Sequence, residues 1–105
     1  MNQPSDEVLK KIHAPALSEG HANFYVLIAA YPTIASLWNW EKRELDRSRF
    51  DAALKTMSRG EIILARFFEM VWLGDNHGFD LADATYLDLK ERKMIAEWLL
   101  NPIWP

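Results

Sequence analysis

The chain contains no cysteine. Disulfides, thiolate metal sites and cysteine nucleophiles are therefore excluded from its chemistry. Glycine is scarce, with 4 in 105 residues, and no glycine-rich phosphate cradle can be built from them. A G-x-S-x-G elbow, a P-loop and an H-E-x-x-H zinc motif are equally missing. So is a concentrated basic stretch. The densest segment, residues 41–59 (EKRELDRSRFDAALKTMSR), holds six basic and four acidic side chains, a balance of +2. A phosphate-binding surface needs lysines and arginines without interleaved acids. This segment reads instead as a solvated, salt-bridged helical face, and nucleic-acid binding is not expected. Nor does a net charge of −3 suffice for a DNA mimic.

Long apolar runs are lacking as well. Residues 20–40 contain no Asp, Glu, Lys or Arg, but His21, Asn23, Pro32, Thr33, Ser36 and Asn39 interrupt them. The unbroken apolar part, FYVLIAAY, is only eight residues long, whereas a spanning helix needs about 20. A buried core element is expected here, not a membrane span. The start, MNQPSDEVLKKIHAPAL, has no basic leader followed by an apolar stretch. With the absence of cysteine, this makes a cytoplasmic protein the expectation.

What is present suits a small globular protein. Half of the residues are hydrophobic and 26% are charged. A chain of this size buries about two-thirds of its unfolded surface, enough for one unstapled domain over residues 1–105. The patterning predicts an all-α fold: a small bundle of five to six short helices around a central helix at about 59–73.

Ser5, Asp6 and Glu7 open a first helix that Pro15 ends. Residues 24–28 favour a strand by propensity, yet no second strand-like run exists to pair with them. A helix over roughly 18–31, apolar nearly all round and so central, is the better reading. Pro32 and Thr33 restart the chain. Ile34, Leu37, Trp38 and Leu45 then share one side of a helix running to about 45, with Trp40 projecting off that side. Asp46 or Ser48 caps the next helix, in which Phe50, Ala53, Leu54 and Met57 are spaced for burial. SRGE, residues 58–61, has the form of a capping box. The helix it opens carries a wide apolar face of Leu64, Phe67, Phe68, Val71 and Trp72. Arg66 and Glu69 form a polar i, i+3 pair opposite. Ile62 and Leu73 fall beside that pair, as in a helix that is either central or lies against a second subunit. Gly74 ends it as a left-handed cap. Asp88 caps a last helix whose inner face is Met94, Ile95, Trp98 and Leu99, and Trp104 folds back after Pro102.

Two places invite a functional reading. The first is WLGDNHGFDLADA, residues 72–84, where Asp75, His77, Asp80 and Asp83 gather. An EF-hand count from Asp75 fails, because its sixth position is Asp80 where a glycine is required. Zinc would need more His or Cys. An acid–base pair of His77 with Asp80 or Asp83 has no recognisable nucleophile beside it. The residues are better explained as a turn. Gly74 and Gly78 allow positive φ, Asp75 and Asn76 bond nearby amides, Phe79 and Leu81 return to the core, and Asp80 and Asp83 cap short turns. Residues 74–91 nevertheless carry five acids and one lysine, a net of −4 that suits a basic partner. The second place is WNWEKR, residues 38–43, which sets Trp40 among charges. Trp and Arg are enriched where proteins meet.

The ending GFDLADATYLDLKERKMIAEWLLNPIWP has the general look of short bacterial, phage or plasmid proteins. The expected function is a non-catalytic protein–protein interaction module, of the kind an accessory protein uses to bind a host protein. Its surface would comprise Trp40, Arg43, Arg47 and Trp104, with Ile62 and Leu73 added in a homodimer. No cofactor and no metal are expected. The alternatives are a small-ligand or metal-binding domain on Asp75, His77, Asp80 and Asp83, and a nucleic-acid-associated regulator.

Overall fold

The computed structural model describes residues 17–105. The helix expected over residues 5–15 lies outside them. The described chain is mostly helical, with one small two-stranded sheet.

Helix α1 spans Glu19–Ile28, and the Ser18 hydroxyl caps it by accepting the His21 amide at 3.1 Å. Residues 24–28 are thus helical, against their strand propensity. A helix satisfies its amides and carbonyls internally, and among the described residues no long strand stands nearby to do so. Phe24 and Ile28, one turn apart, are fully buried. The helix stops at Ile28, three residues short of the expected end, because Tyr31 leaves the helical backbone before Pro32.

The helix expected to run to about 45 does not form. Helix α2 covers only Pro32–Ala35, and the chain then turns into an antiparallel hairpin. Strands β1 (Trp38–Asn39) and β2 (Glu44–Leu45) pair Trp38 with Leu45 and Asn39 with Glu44. The Asn39 side chain accepts the Lys42 amide at 3.0 Å, and Arg43 holds a left-handed backbone (φ 56). Packing explains why period 2 prevails over period 3.6. On a helix Trp38 and Trp40 would point about 200° apart; in an extended strand they share a face. Both indoles therefore reach Phe24, at ring separations of 5.6 and 6.2 Å.

Helix α3, Arg47–Leu54, is capped by Asp46, which accepts the Arg49 amide. Helix α4, Arg59–Leu73, has the expected capping box, with reciprocal bonds between Ser58 and Glu61, and ends at Gly74 with φ 69. No residue from 63 to 71 is exposed. Phe68 meets Phe24 of α1, while Phe67 meets Phe79 and Trp98. A 3₁₀ helix, Leu81–Tyr86, starts on Asp80, and helix α5 spans Leu89–Leu100. Asp88 stands at its N-terminus without making a capping side-chain bond. Among the described residues, no helix is long and apolar enough to cross a membrane.

Phe24 is the hub of one end of the core, with Trp72 at 5.1 Å and Phe68 at 6.0 Å adding to the two hairpin indoles. Phe24→Ala should cost about 3–5 kcal/mol of unfolding free energy. Urea unfolding followed by tryptophan fluorescence measures this; a loss below about 1 kcal/mol would mean that the cluster collapses around the gap.

Candidate functional site

The residues singled out in WNWEKR are drawn inward. Trp40 is half-buried: its indole N–H donates to the Ala35 carbonyl at 3.2 Å, and its ring stands edge-on to Tyr25 at 4.9 Å. It covers the core instead of projecting from a helix, since the hairpin returns it to the Trp38 side. Arg43 forms the hairpin loop. Arg47, the first residue of α3, bonds the Glu69 carboxylate at 2.6 Å and lies over the Phe50 ring.

Glu69 corrects a second expectation. The Arg66–Glu69 pair forms at 2.8 Å, but Glu69 is only 1% exposed. Instead of a polar pair set opposite the apolar face there is a buried carboxylate held by two guanidiniums. Burying an acid is costly unless both of its oxygens are bonded. Here one oxygen takes Arg47 and the other Arg66. The bond to Glu69 raises the Arg47 pKa further above its ordinary value, against the opposing effect of burial.

The acidic loop behaves as a shaped turn. The Asn76 side chain accepts the Phe79 amide at 3.0 Å, and Asp80 accepts the Ala82 amide at 3.0 Å. Phe79 is buried against Phe67. Leu81, expected in the core, is instead exposed, because the 3₁₀ geometry turns it outward. Asp75 and His77 approach to 3.6 Å, and Asp83 sits in the first turn of the 3₁₀ helix. Among the described residues, no three His, Asp or Glu side chains form a group that could hold a metal ion.

The surface feature that the sequence did not reveal surrounds Trp98. Its indole N–H donates to the Ile103 carbonyl at 3.1 Å and its ring meets Trp104 edge-on at 5.1 Å, so the chain end folds back as expected. Trp98 lines two grooves. One, of about 260 Å³, runs between α1 and α5 and is walled by Val26, Leu27, Met94 and Ile103. The other, of about 220 Å³, lies between α4, the acidic loop and α5, with Phe79, Leu81 and Leu99 in its walls. Their rims are apolar and open: Val26 is 74% exposed, and Leu81 and Leu99 are also exposed. Leu100, the last residue of α5, is 86% exposed. Leu99 thus departs from its expected inward position, and Val26 from the expectation of an α1 buried all round. Ile62 is half-buried and Leu73 partly exposed, about three turns apart along α4. A usable signal was the unbroken apolar ending of α5, Trp98-Leu99-Leu100, which is wider than one helix stripe.

A third groove, of about 320 Å³, lies where α4 and α5 begin and includes Tyr31, Tyr86, Glu61 and Glu91. The Arg59 guanidinium covers the Tyr86 ring at 3.7 Å. The Tyr31 hydroxyl donates to Glu91 at 3.0 Å. Partial burial, then the bond to Glu91 and its negative charge, push the Tyr31 pKa up from 10.0 to about 12.

Comparison with protein-family models, with curated proteins and with solved structures returned no match. The Tyr31 phenol prefers its neutral form in the folded protein. Its contribution to stability is complete below pH 10 and is lost as the pH rises from there to about 12. Ultraviolet titration should show a step near pH 12 that Tyr31→Phe removes and Glu91→Gln shifts downward. A step that Glu91→Gln leaves in place would assign the shift to burial alone.

Proposed function

We propose that the chain is a non-catalytic protein-interaction module whose docking surface is the pair of grooves flanking Trp98. One observation carries this reading. After Glu19, helix α1 runs through a stretch without a charged residue from 20 to 40, yet Val26, in its last turn, is 74% exposed and borders a groove lined by Trp98. A helix apolar all round is usually enclosed. Where one side stays bare next to apolar hollows, a partner's side chains can complete the burial, at about 1.5–3 kcal/mol for each large aliphatic group covered. Trp104, more than half exposed, supplies a rigid aromatic anchor of the kind such interfaces favour, and buried Trp98 forms the apolar floor beneath it.

The surface differs from the one expected around Trp40 and Arg47, whose side chains are engaged within the protein. The same holds for much of the basic segment: Arg49 donates to the Ser36 carbonyl, and Arg59 lies on Tyr86. Those guanidiniums are spent locally, which adds to the charge argument against a nucleic-acid regulator.

Photo-crosslinking in cells tests the reading. A benzophenone side chain at Val26 or Leu99 should give a discrete adduct, either with one other protein or with a second copy. The same group at exposed Glu41 should not. Val26→Asp should abolish the Leu99 adduct, since the loss of one central contact weakens binding by about thirtyfold or more, while leaving the folded circular-dichroism spectrum intact. Equal, diffuse crosslinking from all three positions would sink the proposal.

A further inference from the structure

The geometry points to a latch that joins the acidic loop to helix α3 through Arg66, so that the two loosen together. The latch does not involve Trp98, although Asn76 and Phe79 of the same loop wall the second groove. It begins at Gly78. A Cβ built there would lie 3.2 Å from the Arg66 Nε and 3.4 Å from its Cδ and Cζ. The space that a side chain would need is filled by the Arg66 guanidinium, and the Gly78 φ of 152 is one that L-residues rarely adopt. The loop backbone therefore rests on Arg66.

From Arg66 the chain of contacts runs inward. Its Nη1 donates to one Glu69 oxygen at 2.8 Å, and its Cζ lies 5.7 Å from the centre of the Phe50 ring. The other Glu69 oxygen accepts from Arg47 Nη1 at 2.6 Å, and the Arg47 Cζ lies 5.3 Å from that same ring. Two cations thus share one ring and one carboxylate. Without the carboxylate their like charges repel, and Arg47 keeps only its longer contact to Asp51 on its own helix, at 3.4 Å. Arg47 and Phe50 belong to α3, Arg66 and Glu69 to α4, and Gly78 to the loop. A disturbance at either end reaches the other by way of Glu69.

The consequence is a cooperative opening unit. A partner that grips the loop would change the freedom of α3, and one that holds α3 would order the loop. Phe79, buried against Phe67, gives the loop a separate apolar anchor, so the latch regulates its mobility and does not decide whether it folds.

Hydrogen exchange read by mass spectrometry on the full chain tests this. Glu69→Gln keeps the shape and removes the charge. It should speed exchange on the order of tenfold, both in residues 75–79 and in the first turns of α3, the scale of a lost charge-assisted hydrogen bond. Residues 89–100 of α5 should keep their wild-type rates. Gly78→Ala approaches from the exposed end, and should raise exchange in α3 although it touches no residue of that helix. It keeps the test decisive if Glu69→Gln does not fold. Faster exchange confined to the altered segment, or a uniform rise through α5 as well, would overturn the latch.

Discussion

A helix segment without an exposed residue has nowhere to send a charge, and the enclosed stretch of α4 carries one at Glu69. Between residues 63 and 71 no side chain of α4 is exposed, and Glu69 is among the most deeply buried. A lone carboxylate in that position would cost several kcal/mol. The arrangement is tolerable because Arg66 comes from one turn earlier and Arg47 from α3, each taking one oxygen. The Arg47–Glu69 contact and the burial of Phe50 hold α3 in place, and Asp46 joins α3 to the hairpin through the hydrogen bond that its amide donates to the Leu37 carbonyl. The acidic loop is seated on the outer edge of the same arginine.

Around this charged centre the aromatic residues divide into two groups. Phe24, Trp38, Trp40 and Trp72 pack at one end, and Phe67, Phe79, Trp98 and Trp104 at the other. Phe67 and Phe68, successive residues of α4 and 5.4 Å apart, connect the two. Successive helical side chains diverge by about 100°, so each phenylalanine serves a different side. The first group is closed over by the hairpin. The second is left open between α1, α5 and the loop, and it is there that large aliphatic side chains reach solvent. The same density of aromatics thus gives enclosure at one end and a sticky, grooved surface at the other.

Local chemistry was well legible. The Ser58–Glu61 box, the left-handed Gly74, the Asp46 cap and the turn-forming Asn76 all depend on groups within a few residues of one another, and each is found as read. The helical character of residues 24–28 followed from a hydrogen-bond argument that is also local. The surface was not legible in this way. Whether Val26, Leu81 or Leu99 meets protein or solvent depends on which elements cover it, and spacing along one element cannot say so.

What the sequence by itself determined was mostly helical structure, the start and end of α4, and the turn character of residues 74–80, because propensity, capping and backbone satisfaction act over one or two turns. Only the tertiary structure decided that residues 38–45 form a hairpin, that Glu69 is interior and Trp40 half-buried, and that the bare apolar side lies at Trp98. In each case the deciding energy comes from partners distant in sequence: Phe24 for the two indoles, Arg47 for the carboxylate, and α1 against α5 for the grooves. Such energies scale with contact area and charge separation in three dimensions, which no local pattern encodes.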